Sequence, residues 1–278
     1  MSRGRLQDKV AIVTGSTKGI GEALVRGFAQ EGAKVVVCGR SAQRGAELAD
    51  QINADGGTAH FIRFDLSDEA SVANLMRETA AHYGRLDIIV NNAHPTEHTA
   101  GGAAGLEDKI DNPIGELTTE AWRKITLPTF DGLFWALREA IKQFTKQGGT
   151  GTIINISSMV SNQGLAGVDV HTATKGAMNA LTRSIAVEYA PQIRCNTIVA
   201  GLVATGAIEG MVHDPVIGPA LAGCVLTTRI AEPRDFVGAA VFLASENESF
   251  FVTGQCINVD GGMGVMMPIP KLEAAAAG

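Results

Sequence analysis

A short apolar run at 10–13 ends in Thr14-Gly15-Ser16-Thr17-Lys18-Gly19-Ile20-Gly21, and an amphipathic helical pattern begins at once. Glycines at a strand-to-helix turn let the backbone approach a diphosphate, and the helix start adds unsatisfied N–H groups and the positive end of its dipole. A strand that feeds a helix in this way belongs to a βαβ unit, so the turn also calls for a parallel neighbour strand. The rest of the chain keeps that rhythm. Val- and Ile-rich runs at 34–38, 58–64, 86–90, 152–156, 193–199 and 255–259 alternate with helical patterns at 20–30, 43–54, 69–82, 119–145, 170–189 and 233–244. Strands that are apolar without alternation belong to a sheet covered on both faces. We therefore expect an α/β fold, a Rossmann-type doubly wound parallel sheet of about seven strands flanked by helices.

At 278 residues and 45% hydrophobic, the chain is long enough for one large core, and residues 1–278 read as a single domain without repeat or linker. A formal charge of −6 without a long basic block argues against nucleic acid or an anionic membrane as partner. No run reaches the roughly 20 apolar residues of a membrane span, and no apolar signal core follows the start, so the expected place is the cytoplasm. Cys38, Cys195, Cys224 and Cys256 lack metal-binding or redox spacing and read as buried thiols. The expected partner is a small molecule.

Further signals sit at the strand ends: Asp65-Leu66, Asn91-Asn92-Ala93, Ser158 in Asn155-Ile156-Ser157-Ser158, Lys175 in His171-Thr172-Ala173-Thr174-Lys175, Ala200-Gly201-Leu202-Val203-Ala204-Thr205, and Asn258-Val259-Asp260-Gly261-Gly262. With the glycine turn they resemble the classical short-chain dehydrogenase/reductase family over nearly the whole length. The resemblance implies a dinucleotide held by Gly15, Ser16, Thr17, Lys18, Gly19, Ile20 and Gly21 at the turn. It implies Asp65, Leu66, Asn92 and Ala93 at the adenine and ribose, Val203 and Thr205 at the nicotinamide end, and Lys175 on the nicotinamide ribose. An acidic side chain after the second strand would select NAD(H), and this chain has Gly39-Arg40. A guanidinium there, with Lys18 in the turn, suits the extra phosphate of NADP(H), unless Arg40 is only a solvated surface residue. The proline expected in the 200–205 segment is Ala200, which relaxes a turn but removes no hydrogen-bonding group.

Reductases of the resembled family use an Asn, a Ser, a Tyr and a Lys. Ser158 and Lys175 match; the Tyr position holds His171, the Asn position falls on Thr129, and the glycine after Asn91-Asn92-Ala93 is His94. The only tyrosines, Tyr83 and Tyr189, match structural positions. Imidazole has an unperturbed pKa of ~6.5 against ~10 for phenol. Lys175, one helical turn on, pushes the imidazole lower, which makes His171 a base rather than an acid. His94, Glu97 and His98 offer a second acid or base; they lack a fourth ligand, and no metal is expected.

Three readings stay open on sequence. The first is an NADP(H)-dependent oxidoreductase of a secondary alcohol or ketone, with Ser158 polarising the oxygen, His171 moving the proton and Lys175 fixing the ribose. The second is a non-redox dehydratase, isomerase or lyase on the same scaffold. The third is a retired subunit paired with an active partner, in which His171 fills space and Ser158 is a turn residue. The resemblance further implies a homotetramer or homodimer built through the helices at 119–145 and 170–189 and the last strand, with Phe134, Trp135 and Phe144 as interface or core. It makes 94–118 an enlarged loop and 205–228 a lid, and with Met211 and Met263 to Met267 these suggest a bulky, apolar substrate.

Overall fold

The structure, a computed structural model, describes residues 4–95 and 110–266. Its sheet has seven parallel strands: β1 (Val10–Val13), β2 (Lys34–Gly39), β3 (Thr58–Arg63), β4 (Ile88–Asn91), β5 (Gly151–Ser158), β6 (Ile193–Ala200) and β7 (Cys256–Val259), in the order β3-β2-β1-β4-β5-β6-β7. The order turns back between β1 and β4. At such a switch point the crossovers leave in opposite directions and a crevice opens beyond the carboxyl ends of the strands.

Each central strand feeds two cores at once. Ala11 and Val13 of β1, Val35 and Val37 of β2, and Ile88 and Val90 of β4 face one cluster, with Leu24, Phe28, Leu48 and Phe236. Ile12, Val36, Cys38 and Ile89 face the other, with Leu75, Leu137, Phe144 and Met178. Side chains alternate across a strand, so a strand covered on both faces must be apolar at every position. Helices α1 (Gly19–Gln30), α2 (Ala42–Ala54) and α3 (Glu69–Tyr83) follow the first three strands. The long α6 (Asp169–Tyr189) follows β5, and α9 (Val237–Ala244) and the short α10 (Glu246–Ser249) precede β7.

The helix expected at 119–145 is broken. It runs as α4 (Thr119–Thr126), a five-residue π turn (Leu127–Asp131) and α5 (Gly132–Lys146). Pro128 has no N–H to donate to the preceding turn, and a wider turn accommodates it. Within that turn the buried Thr129 donates its hydroxyl to Ile125 O at 2.6 Å. Phe144 lies in the core, Trp135 is half-buried, and Phe134 is exposed.

The segment at 205–228 folds as α7 (Gly206–Val212) and α8 (Ile217–Gly223). Asp214 joins them, its carboxylate accepting from Val216 N and Ile217 N at 2.8 Å each. Among the cysteines, Cys38 and Cys195 are buried and Cys256 half-buried, but Cys224 is exposed. The expectation of a buried thiol fails there because α8 is a single short helix lying on the surface, with little beneath which to bury its end.

Candidate active site

The glycine turn is shaped from within. Gly15 and Gly19 take φ of +65° and +60°, where a side chain would be strained. A Cβ on Gly15 would lie 2.9 Å from Ala93 Cα, and one on Gly21 would lie 2.6 Å from both Asn92 Nδ2 and Gly15 O. The Thr14 hydroxyl accepts from Asn92 N at 2.9 Å and from Ala93 N at 3.0 Å, and Asn92 Nδ2 donates to Thr14 O at 2.9 Å. The end of β4 is thereby fastened to the turn after β1. Both polar groups of the buried Ser16 bond to Cys38, its N–H donating to the carbonyl and its hydroxyl accepting from the amide.

Around this frame the remaining expected cofactor residues are distributed along the rim. Lys18 is exposed just before α1, Arg40 is exposed just after β2, and Thr17 packs beside the buried Gly39. Ile20 is half-buried against the core. Asp65 Oδ1 accepts from Ser67 N at 2.9 Å, which bends the chain after β3 and brings Leu66 to the crevice wall beside Ala93. Val203 is buried and bridges to Ala231, and the methyl group of Thr205 faces Gly19, so the start of the 205–228 segment lies across the glycine turn.

Ser158 and Lys175 stand at the end of β5. A buried polar chain holds α6 to the sheet: Asn91 Nδ2 donates to Asn155 Oδ1 at 2.8 Å, Asn155 Nδ2 donates to Thr182 Oγ1 at 2.8 Å, and Thr182 meets Thr197 at 2.8 Å. From that helix Lys175, itself buried, donates Nζ to Ile156 O at 2.8 Å. Burial pushes its pKa down to about 8. The Ser158 hydroxyl, half-buried, accepts a long bond from Val160 N at 3.5 Å.

One turn before Lys175, the His171 ring is mostly enclosed, and its Nδ1 has no hydrogen-bond partner. Burial, and then the charge of Lys175, push its pKa down to about 3, so the ring is neutral near pH 7. His94 lies against it, ring centroids 4.7 Å apart and planes tilted by 54°. His94, Thr129 and Lys175 line one crevice together with Asn91 and Ala93. Neither tyrosine reaches it: Tyr83 OH donates to Val35 O at 3.5 Å, and Tyr189 ends α6. Glu97 and His98 lie outside the described residues.

One residue of the site escaped the sequence. Asp111, with none of its surface exposed, accepts from Val170 N at 3.0 Å and His171 N at 2.9 Å. These are orphan donors of the first turn of α6, whose own N-cap, Val168, supplies no side-chain bond. In return Asp169 Oδ2 accepts from Ile114 N at 2.7 Å. The loop and the helix therefore clasp each other at the residue that holds the unusual imidazole. A capping residue is recognisable in sequence when it sits next to its helix; Asp111 is separated from His171 by 60 positions.

Residues 15–264 match the family model described as enoyl-(acyl carrier protein) reductase. The chain belongs to the classical short-chain dehydrogenase/reductase family. Within that family it is 35% identical to an NADP-dependent (R)-specific alcohol dehydrogenase of Lentilactobacillus kefiri, covering 93% of this chain and 97% of the relative. It is 33% identical to a 7alpha-hydroxysteroid dehydrogenase of Clostridium sardiniense, covering 95% and 96%. A gluconate 5-dehydrogenase from Burkholderia cenocepacia, solved in complex with NADP and tartrate, superposes with a TM-score of 0.84 at 30% identity, covering 95% of this chain and 98% of that one. Among the described residues, no helix of this short-chain dehydrogenase/reductase is long and apolar enough to cross a membrane.

Proposed function

We propose that this protein is an NADP(H)-dependent oxidoreductase that interconverts a secondary alcohol and a ketone. The observation that carries the reading is the position of Lys175 Nζ, bonded to Ile156 O two residues before Ser158, at the sheet edge that also bears the glycine turn. The turn suits a diphosphate: the positions nearest to Ala93 and Asn92 have no room for a Cβ. Lys18 and Arg40 flank it as exposed cations, and the end of β2 carries no carboxylate to repel a 2′-phosphate. A relative named NADP-dependent and a similar structure holding NADP support the same choice.

When bound, the nicotinamide supplies or accepts the hydride. The Ser158 hydroxyl orients and polarises the substrate oxygen, and Lys175 holds the nicotinamide ribose. Neutral His171 takes the proton of an alcohol in the oxidative direction, since a ring kept neutral by burial and a neighbouring cation acts as acceptor. The substrate is a small molecule, bulky and apolar to match the lid α7–α8. The same reading has the enzyme working in the cytoplasm as a homo-oligomer, a tetramer or dimer. Exposed Leu127, Phe130 and Phe134 along α4–α5 and exposed Val187, Phe250 and Phe251 near β7 support assembly.

A panel of a hydroxysteroid, a cyclohexanol carboxylate, a small secondary alcohol and gluconate, each with NADP, tests it by nicotinamide absorbance. Reduction of NADP by one of them, lost at least a hundredfold in His171→Ala, is the expected result; full activity in the alanine variant contradicts the role given to His171. The partnerless burial of His171 Nδ1 favours one second reading, a non-redox lyase or isomerase in which His171 is the base and Ser158 the oxyanion donor. Its mark is turnover with no net change in the nicotinamide.

A further inference from the structure

Two departures from the family pattern, His94 for glycine and His171 for tyrosine, are 77 positions apart in sequence, yet their rings touch at a centroid distance of 4.7 Å. A third departure lies beside them. Where the resembled family places the asparagine of its water relay, Thr129 donates its hydroxyl to Ile125 O, and that bond belongs to the π turn. The usual outlet for the proton is therefore replaced on the same crevice wall at which His94 stands.

We propose that His94 is the proton-relay partner of His171, carrying protons between the buried ring and solvent in place of the asparagine–water relay. The proposal rests on the oxidoreductase reading for the substrate and on the ring geometry for the path. His171 sits beside the Lys175 cation and is poorly able to retain a second proton, so a proton arriving at one ring nitrogen has to leave from the other. In alcohol oxidation, the substrate O–H breaks as an N–H forms on His171. The other N–H of His171 breaks as one forms on His94, and the hydride goes to the nicotinamide. His171 ends neutral in its other tautomer, His94 passes the proton to water, and a return of the His171 ring to its first tautomer by proton exchange with water after product release closes the cycle. Reduction runs the same bonds in reverse. Nδ1 of His171 is buried and bonded to no group, His94 included, so the transfer needs one ring to turn within the contact and bring two nitrogens into line; His94, half-buried, lines the crevice beside it.

The test is NMR on protein labelled with 15N-histidine, reading the exchange of the His171 ring N–H with water in the whole chain. His94→Phe keeps an aromatic ring against His171 and removes both nitrogens; exchange is expected to slow at least tenfold. His94→Gly, which restores the glycine of the family pattern, should slow it likewise, with added imidazole restoring the rate. Unchanged or faster exchange in His94→Phe, or in the glycine variant if the phenylalanine variant fails to fold, overturns the relay, as does a glycine variant indifferent to imidazole. Calorimetry of the unsubstituted protein with NADPH reports separately: absent binding sinks the oxidoreductase reading while leaving the exchange result to decide the relay.

Discussion

The burial of His171, the residue to which the proposed function assigns the proton transfer, has a consequence for stability. Its pKa is depressed in the fold, to about 3. Between the unfolded value near ~6.5 and the folded value, the unfolded chain binds the proton and the folded chain does not. The stability associated with a neutral ring is thus present above about pH 6.5 and lost as pH falls towards 3. A non-titrating His171→Phe lacks that dependence. Denaturant unfolding of the two proteins across this window should give a stability difference that moves against the native chain by up to about 1.4 kcal/mol per pH unit on acidification. A difference independent of pH contradicts the burial described. Ser158, His171 and Lys175 were singled out in sequence by their spacing along a strand and a helix, and the structure bonds Lys175 Nζ to Ile156 O, two residues before Ser158, with His171 one helical turn away. The contact of His171 with His94 was not, since nothing in the sequence of a loop and of a helix 77 positions away states that their rings meet.

The decisive element is α6, which carries His171 and Lys175 and is pinned at both levels: by Asn155 and Thr182 to the sheet, and by Asp111 at its first turn. Removing the Asp111 carboxylate leaves two N–H groups without their acceptor and takes a negative charge from a helix N-terminus. Asp111→Ala should cost about 2 kcal/mol or more in unfolding free energy. Asp111→Asn, which keeps one acceptor oxygen, should lose clearly less. Equal stability of the alanine variant and the unsubstituted protein, by urea denaturation, would show that the clasp carries no load. Element types were readable from apolar periodicity, and most ends fell within two residues of expectation. The π turn at Leu127–Asp131 was hidden, because Pro128 marks a disturbance in a helix without saying whether the chain breaks, kinks or widens.

At the scale of the molecule, the doubly wound sheet follows from strands that are apolar at every position and from the first glycine turn. Strand order is less legible in residues than in the rule that crossovers are right-handed, which leaves few arrangements once the first unit is placed. The switch point between β1 and β4 sets the crevice, where Asn92 fastens the end of β4 to the glycine turn and Lys175 lines the wall. What that sequence pattern leaves unsaid is the rim. The proposed preference for NADP(H) rests on Lys18 and Arg40, both exposed beside the turn. The proposed function joins a dinucleotide site to an altered proton path, and the first of these is open to direct measurement. Titration of the protein with NADPH and NADH by calorimetry is that measurement. The account predicts NADPH at least tenfold tighter than NADH, with the preference lost in Arg40→Ala; binding of neither nucleotide, or a preference for NADH, would contradict it.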